Sequence, residues 1–487
     1  MGLIPLSIPP GVYRGGTDLQ AAGRWQDASL VRWVGGILQP VGGWSERVDL
    51  GAVAIRAILA WRDLSGDGRW AAGSPDGLFA VTSANVISDI TPSGLTAGET
   101  DAAANTGFGG GAFGIGAFGT ARDADYEPIE ATTWSLDTWG EMLIACSVAD
   151  GAIYEWDLSD PEAVAVTGAP IDNLGAVVTD ERFLVALGAG GNPRRVQWSD
   201  REDREVWTPA ASNEAGDYDL QTQGQIMAAY RTRGQTLILT TMDAHSMTYQ
   251  GPPFVYGFSR VGSYCGVIGR KAAASVEPGV IWMGKRGFHL YAGGVVQDVA
   301  CDVADYVFAD INRAQASKIY AVPNSQYGEV WWFYPSVAST ENDRYVAYSY
   351  RDGHWSIGAL ARTCGVDAGI FRTPVWVAPE GMAYNHESGL VAAGDSYAET
   401  GPIGISDQVM AVTQLLPDEA TRGDVVATFK ARIWPNGAET EHGPYQMGEP
   451  SSVRFTGRQV KMRVTSARAA DWRVGVMRIN AVARGMR

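Results

Sequence analysis

Along most of the chain, apolar residues come in short runs, each followed by a tight polar turn and a second run that ends near an aromatic residue. Examples are RWAAGSPDGLFAVTS (69–83), EMLIACSVADGAIYEWD (141–157), GVIWMGKRGFHLYAGG (279–294), RYVAYSYRDGHWSIG (344–358) and PVWVAPEGMAYNHESG (374–389). Glycine in such turns accepts the positive φ that hairpins need. Long runs with a 3.6-residue period are almost absent, so the pattern predicts many short strands rather than helices.

The hairpin units recur roughly every 40 to 55 residues, the scale of a four-stranded propeller blade. The fold expected is all-β: residues 50–395 form a β-propeller of six to seven irregular blades, an architecture that leaves few sheet edges exposed. Residues 1–49 read as an N-terminal arm leading into the first blade.

Beyond residue 396 the rhythm changes. DVVATFKARIWPNGAETEHGPYQM (424–447) reads as a strand, a Pro435-Asn436-Gly437 turn and a returning strand. In SSVRFTGRQVKMRVTS, apolar Val460, Met462 and Val464 alternate with polar Gln459, Lys461 and Arg463, the signature of a strand with one buried face. Residues 396–487 are therefore expected to form a smaller C-terminal β-sandwich-like domain.

At 487 residues and 46% hydrophobic content the chain can fill a substantial core, and 60 glycines with 17 tryptophans suit a turn-rich β protein. Acidic residues (54) exceed basic ones (38), giving a net charge of −16. That excess argues against general affinity for a nucleic-acid backbone, which depends on Lys and Arg displacing counterions. The C-terminal segment is the exception. Arg454, Arg458, Lys461, Arg463, Arg468, Arg473, Arg478, Arg484 and Arg487 follow Ser451, with Asp471 as the only acid. This asymmetry suggests a docking face for an acidic neighbour or a second copy, with Arg458, Lys461, Arg463, Arg468, Arg473 and Arg478 as candidate contacts. A solvated outer sheet face explains the same row of charges.

No stretch approaches the ~20 apolar residues of a membrane span, and the opening MGLIPLSIPPGVYRGG lacks the features of a signal peptide, so cytoplasmic synthesis is expected. The four cysteines, Cys146, Cys265, Cys301 and Cys364, are widely spaced, which points to reduced, mostly buried thiols rather than a disulfide framework or zinc site.

Two motifs resemble nucleotide-binding loops without their context. GIGAFG (114–119) has the Gly-x-Gly-x-x-Gly spacing, but neither an apolar strand leads into it nor a helix leaves it. It lies within TGFGGGAFGIGAFGT (106–120), read as a loop insertion at 105–131 in which Phe108, Phe113 and Phe118 are candidate anchors on another surface. GVIWMGKR (279–286) places Arg286 where a phosphate-binding loop needs Ser or Thr, and it reads as a strand ending in a turn. The five histidines show no metal-ligand spacing and no Gly-x-Ser-x-Gly elbow occurs. In SDREDREVW (199–207), arginines interleave with carboxylates and would hold them ionised, which suits a salt-bridged turn better than acid catalysis. No catalytic residue, cofactor or metal ligand is expected.

The segment VQWSDREDREVWTPAASNEAGDYDLQTQGQIMAAYRTRGQTLILT, followed by MTYQGPPFVYGFSRVGSYCGVIGRKA, resembles the tail nozzle or hub proteins of tailed bacteriophages, including the packaged-DNA stabilisation proteins of short-tailed phages. IPPGVYRGGTDLQAAGRWQDASLVRWVGGILQPVGGW near the start, the Gly/Phe repeat with ATTWSLDTWGEMLIAC, and the closing TGRQVKMRVTSARAADWRVGVMRINAV are similar to stretches of the same family, in the same order. The resemblance implies a propeller-based, non-enzymatic virion protein of the tail, assembled in the host cytoplasm. It further implies a ring of copies, commonly a sixfold homohexamer, below the head-to-tail adaptor ring and above a distal needle, fibre or spike protein. Double-stranded DNA would pass loosely and without sequence preference through the lumen, which the acidic balance would keep from adhering to DNA. The competing readings are a propeller glycosidase, which needs two suitably spaced carboxylates in a cleft, and a carbohydrate-binding propeller with a platform of exposed tryptophans.

Overall fold

The computed structural model describes residues 3–51, 54–103, 129–403 and 408–484. Each of the five hairpin motifs quoted first above folds as short strands and tight turns. In YRDGHW, Gly353 takes a φ of +73° between the strands Asn342–Ser349 and His354–Ala359, a conformation that strains any residue with a Cβ. GVIWM is the strand Gly279–Met283, followed by a turn, as its apolar composition predicts.

Six four-stranded antiparallel sheets follow one another along residues 57–89, 134–165, 175–219, 226–263, 273–299 and 320–359, each with its strands in chain order. These are blades I to VI. Blade VII takes three strands from residues 364–386 and its fourth from Trp44–Asp49, which pairs with Met382–His386. The first strand of every blade touches the first strands of both neighbours, and blade VII returns to blade I, so the ring closes with seven blades.

The N-terminal residues therefore do more than lead into the first blade. A strand from one end of the chain completes the sheet at the other, giving the Met382–His386 edge its hydrogen bonds and locking the ring. A hydrophobic pattern cannot reveal this, because the pairing partner lies more than 300 positions away.

Two further sheets use both chain ends. Trp25–Ser29 joins Tyr397–Thr400, Gln459–Ser466, Val425–Arg432 and Thr440–Gln446, while Leu3–Pro5 joins Arg478–Arg484, Val409–Leu416 and Ser451–Gly457. The expected alternation holds: Val460, Met462 and Val464 are buried, as are Phe429, Phe455, Met410 and Ile479. They share one continuous apolar core with Trp282, Trp332 and Trp355 of blades V and VI, bridged by Trp33 and Leu38 of the hairpin Val31–Val34/Ile37–Pro40.

Between blades the tryptophans serve as both filling and fastening. Trp70, Trp134, Trp282, Trp331, Trp332, Trp355 and Trp376 are fully buried. The Trp134 indole N–H donates to the Ser74 carbonyl of blade I at 2.7 Å, Trp61 to the Glu141 carbonyl of blade II at 2.9 Å, and Trp332 to the Ala272 carbonyl ahead of blade V at 2.9 Å. In Trp134, Trp61 and Trp332, large apolar area and a satisfied N–H come from one residue, whereas Trp70 and Trp376 serve as filling alone.

Candidate docking surfaces and the axial mouth

The sequence shows one acid opposite the C-terminal basic row, but folding brings four more. Lys461 lies 3.1 Å from Asp18 and 3.6 Å from Glu439, and Arg432 contacts the same two carboxylates. Burial pushes the Asp18 carboxyl up, yet hydrogen bonds from Gln26, Arg432 and Lys461 outweigh it and hold its pKa at about 2. Arg463 sits 3.4 Å from Glu399 and stacks over Tyr397 with its guanidinium carbon 3.5 Å from the ring centroid. Arg468 pairs with Asp424, and Arg473 lies 3.7 Å from Asp471. Arg458 lies over the exposed Trp434 ring, 5.5 Å from its centroid.

On the opposite sheet, Arg478 pairs with Leu416 and Pro5 in the strand ladder and is exposed. Arg454 and Arg484 are exposed on the same sheet, and none of the three has an ion-pair partner among the described residues. Among the described residues, the basic segment thus divides into Lys461, Arg463, Arg468 and Arg473, which meet carboxylates of the protein, Arg458, which meets an aromatic ring, and the exposed Arg454, Arg478 and Arg484, which meet no carboxylate.

Phe108, Phe113, Phe118 and the GIGAFG motif lie outside the described residues, but both stems of that insertion are placed. Residues 99–103 and 129–133 cross the end of the propeller where the first strands of the blades begin, joined to each other by the Ala103–Ile129 bridge. Three cations, each beside the start of such a strand, grip them: Arg56 donates to the Thr100 carbonyl at 3.1 Å, Lys318 pairs with Asp101, and Arg270 lies 3.3 Å from Glu130. Arg56, Lys318 and Arg270 are all buried. Gln315 exchanges hydrogen bonds with both backbone groups of Ala102 at 2.9 Å, and Ser317 accepts from Ala131 N–H at 3.2 Å. Glu341, 2.7 Å from Arg56 and 3.7 Å from Lys318, balances the two cations, whose charge holds its carboxyl low despite burial.

Both stems are thereby held over the propeller axis. The sequence signal for the grip is weak: one or two cations directly before the first apolar run of a unit, as in Arg56-Ala57, Arg270-Lys271-Ala272 and Lys318-Ile319.

The Ser199–Trp207 cluster is a salt-bridged turn. Arg204 reaches both carboxylate oxygens of Glu155 on blade II, Arg182 lies 2.9 Å from Glu202, and the Trp207 N–H donates to the Arg204 carbonyl. Among the described residues no helix is long and apolar enough to cross a membrane.

No family profile matches the chain, and no curated protein matches it. Solved structures do. A catalytically inactive virginiamycin B lyase from Staphylococcus aureus with quinupristin is similar at a TM-score of 0.32 and 6% identity, over 69% of this chain and 99% of that one. An exo-β-1,3-galactanase from Phanerochaete chrysosporium matches at 0.31 and 11% identity, over 91% and 100% of the two chains. The N-terminal domain of Nup159 matches at 0.35 and 11%, over 74% and 98%. The β-propeller is the extent of what these likenesses share with this chain.

Proposed function

We propose that this chain is a structural subunit of a bacteriophage tail, a nozzle or hub protein that associates with copies of itself and continues the DNA channel below the head-to-tail adaptor. It acts without catalysis, by retaining the genome and then letting it leave. The observation that carries the reading is the division of charge between two joined β units. Residues 396–487 hold 12 basic and 9 acidic residues, whereas the remainder holds 26 and 45. Arg454, Arg478 and Arg484, outward-facing and without carboxylates among the described residues, offer an acidic surface of a neighbouring copy a complementary face. The ordered resemblance of four segments to tail nozzle and hub proteins supplies the identity of the assembly.

The test is electron microscopy and mass determination of the purified protein, with proteomics of the particle that carries its gene. Closed rings and presence in virions are the expected results. Changing Arg454, Arg478 and Arg484 together to Glu is expected to shift the mass toward the monomer. A wild-type protein that stays monomeric under assembly conditions and is absent from virions would overturn the proposal.

A further inference from the structure

Beneath the gripped stems the first strands of the propeller line an open axial pocket of about 300 Å³. Its walls are the first strands of blades I to V, contributing Leu59, Ser135, Val177, Tyr230 and Ser275, among others, and Thr133 at the end of the returning stem. Four charged side chains belong to its lining: Asp137, Arg231, Arg270 and Lys271.

Three of the four are accounted for. Asp137 lies 2.9 Å from Arg231 and accepts the backbone N–H of Val178 and Thr138 at 2.8 Å each, while Arg231 also donates to the Val178 carbonyl. Arg270 lies 3.3 Å from Glu130 and directs Nη1 to the carbonyls of Leu174, Ile226 and Met227 at 3.4 Å. The Lys271 ammonium carries three donors, and among the described residues none of them has an acceptor. The ionisable groups acting on it are Cys364 from blade VII and Asp137 from blade II, and Asp137 is already matched by Arg231. The pocket lining therefore holds one cation more than the carboxylates beside it neutralise.

Lys271 is partly buried, and an ammonium with no protein acceptor, in a pocket that already carries a surplus positive charge, is held by water or by an anion. Hydroxyl groups on Thr133 and Ser275, together with the ammonium, suit an oxygen-bearing monoanion that fits the volume. We propose that the axial cavity binds a small oxyanion, a carboxylate or a phosphate, through Lys271. The site is independent of the assembly reading: it belongs to a single copy.

Burial pulls the Lys271 pKa down to about 8, with Cys364 and Asp137 opposing the shift, so the amine is mostly protonated at neutral pH. Calorimetric titration of the full chain with inorganic phosphate and, separately, with acetate at about pH 7 tests the site and distinguishes the two sources of the oxyanion. Saturable binding of either, weakened about tenfold or more by Lys271→Met and retained by Lys271→Arg, is expected, since only the charged forms supply the missing donor. Should Lys271→Met misfold, the wild-type protein gives the same answer: affinity falls about tenfold for each pH unit above the amine's pKa. Absence of binding at about 10 mM of both anions, or binding indifferent to Lys271→Met and to pH, overturns the proposal.

Discussion

Arg32 donates Nε and Nη2 to the two carboxylate oxygens of Glu329, at 3.0 and 3.1 Å, with both side chains buried. The same guanidinium donates to Glu387 at 2.9 and 2.5 Å and lies over the Tyr327 ring. Trp331, Asn324 and the Gly42 N–H complete the two carboxylates. One side chain from the N-terminal hairpin thus fastens blade VI to the loop after the last strand pair of blade VII, where the ring closes.

Replacing Arg32 with Met is expected to destabilise the protein by about 3–5 kcal/mol, because two carboxylates stay buried without a cation. Equilibrium unfolding in urea measures this. A Glu329→Gln/Glu387→Gln pair introduced with Arg32→Met is expected to recover part of the loss.

The thiols give a second prediction. Burial pushes Cys146, Cys301 and Cys364 up to about 12 and Cys265 up to about 11. All four are free. Because the thiolate is the reactive species, the native protein is expected to react with an aromatic disulfide reagent at about pH 8 far more slowly than the denatured chain, which releases four equivalents. Rapid native reaction of Cys301, the only one not fully buried, would contradict the assignment.

Local pattern was sufficient for the strands and turns, since Gly353 and the run Glu329–Pro335 carry their conformations in adjacent residues. It also supported the propeller, because repetition at blade spacing is itself a local signal. Ring closure by Trp44–Asp49 and the sheet shared by Leu3–Pro5 with Arg478–Arg484 were invisible, as strand pairing across the whole chain leaves no mark on either partner's alternation. The same blindness affected the charges. Lys461 looked unopposed because Asp18 lies more than 400 positions away, and Arg56, Arg270 and Lys318 looked ordinary until three blades brought them to one axis.

Two histidines make stability depend on pH. His386 is buried, stacked on Trp376 with centroids 4.0 Å apart, and accepts from Arg362 Nε at 2.9 Å. Burial, reinforced by Arg362, pulls its pKa well below 6.5, and burial lowers His354 as well. The unfolded chain therefore binds protons near pH 6.5 that the folded chain refuses until lower pH. Stability is expected to be intact above that value and to fall as pH drops below it, by up to about 1.4 kcal/mol per pH unit for each group. Urea midpoints measured from neutral to mildly acid pH, with His386→Gln flattening part of the slope, check the sign and the source.

The last prediction concerns the grip on the axial stems. Lys318 has no exposed side-chain surface, donates to Asp101 and to the Thr340 carbonyl at 2.7 Å, and lies 3.7 Å from Glu341. Lys318→Met removes the donor while preserving most of the stem's apolar neighbours, so a cost of about 1–3 kcal/mol is expected from the unpaired acceptors. The effect should be local. The Ala102 N–H, held by Gln315 Oε1, is expected to exchange with solvent faster in Lys318→Met and in Gln315→Ala, while amides in the first strand of blade III keep wild-type protection. Asp101→Asn is expected to do less, because Asp101 is exposed and Lys318 keeps the Thr340 carbonyl and the nearby Glu341 carboxylate. Equal acceleration across the whole propeller would instead mean that Lys318 supports the global fold, and the stems would be no more than its covering.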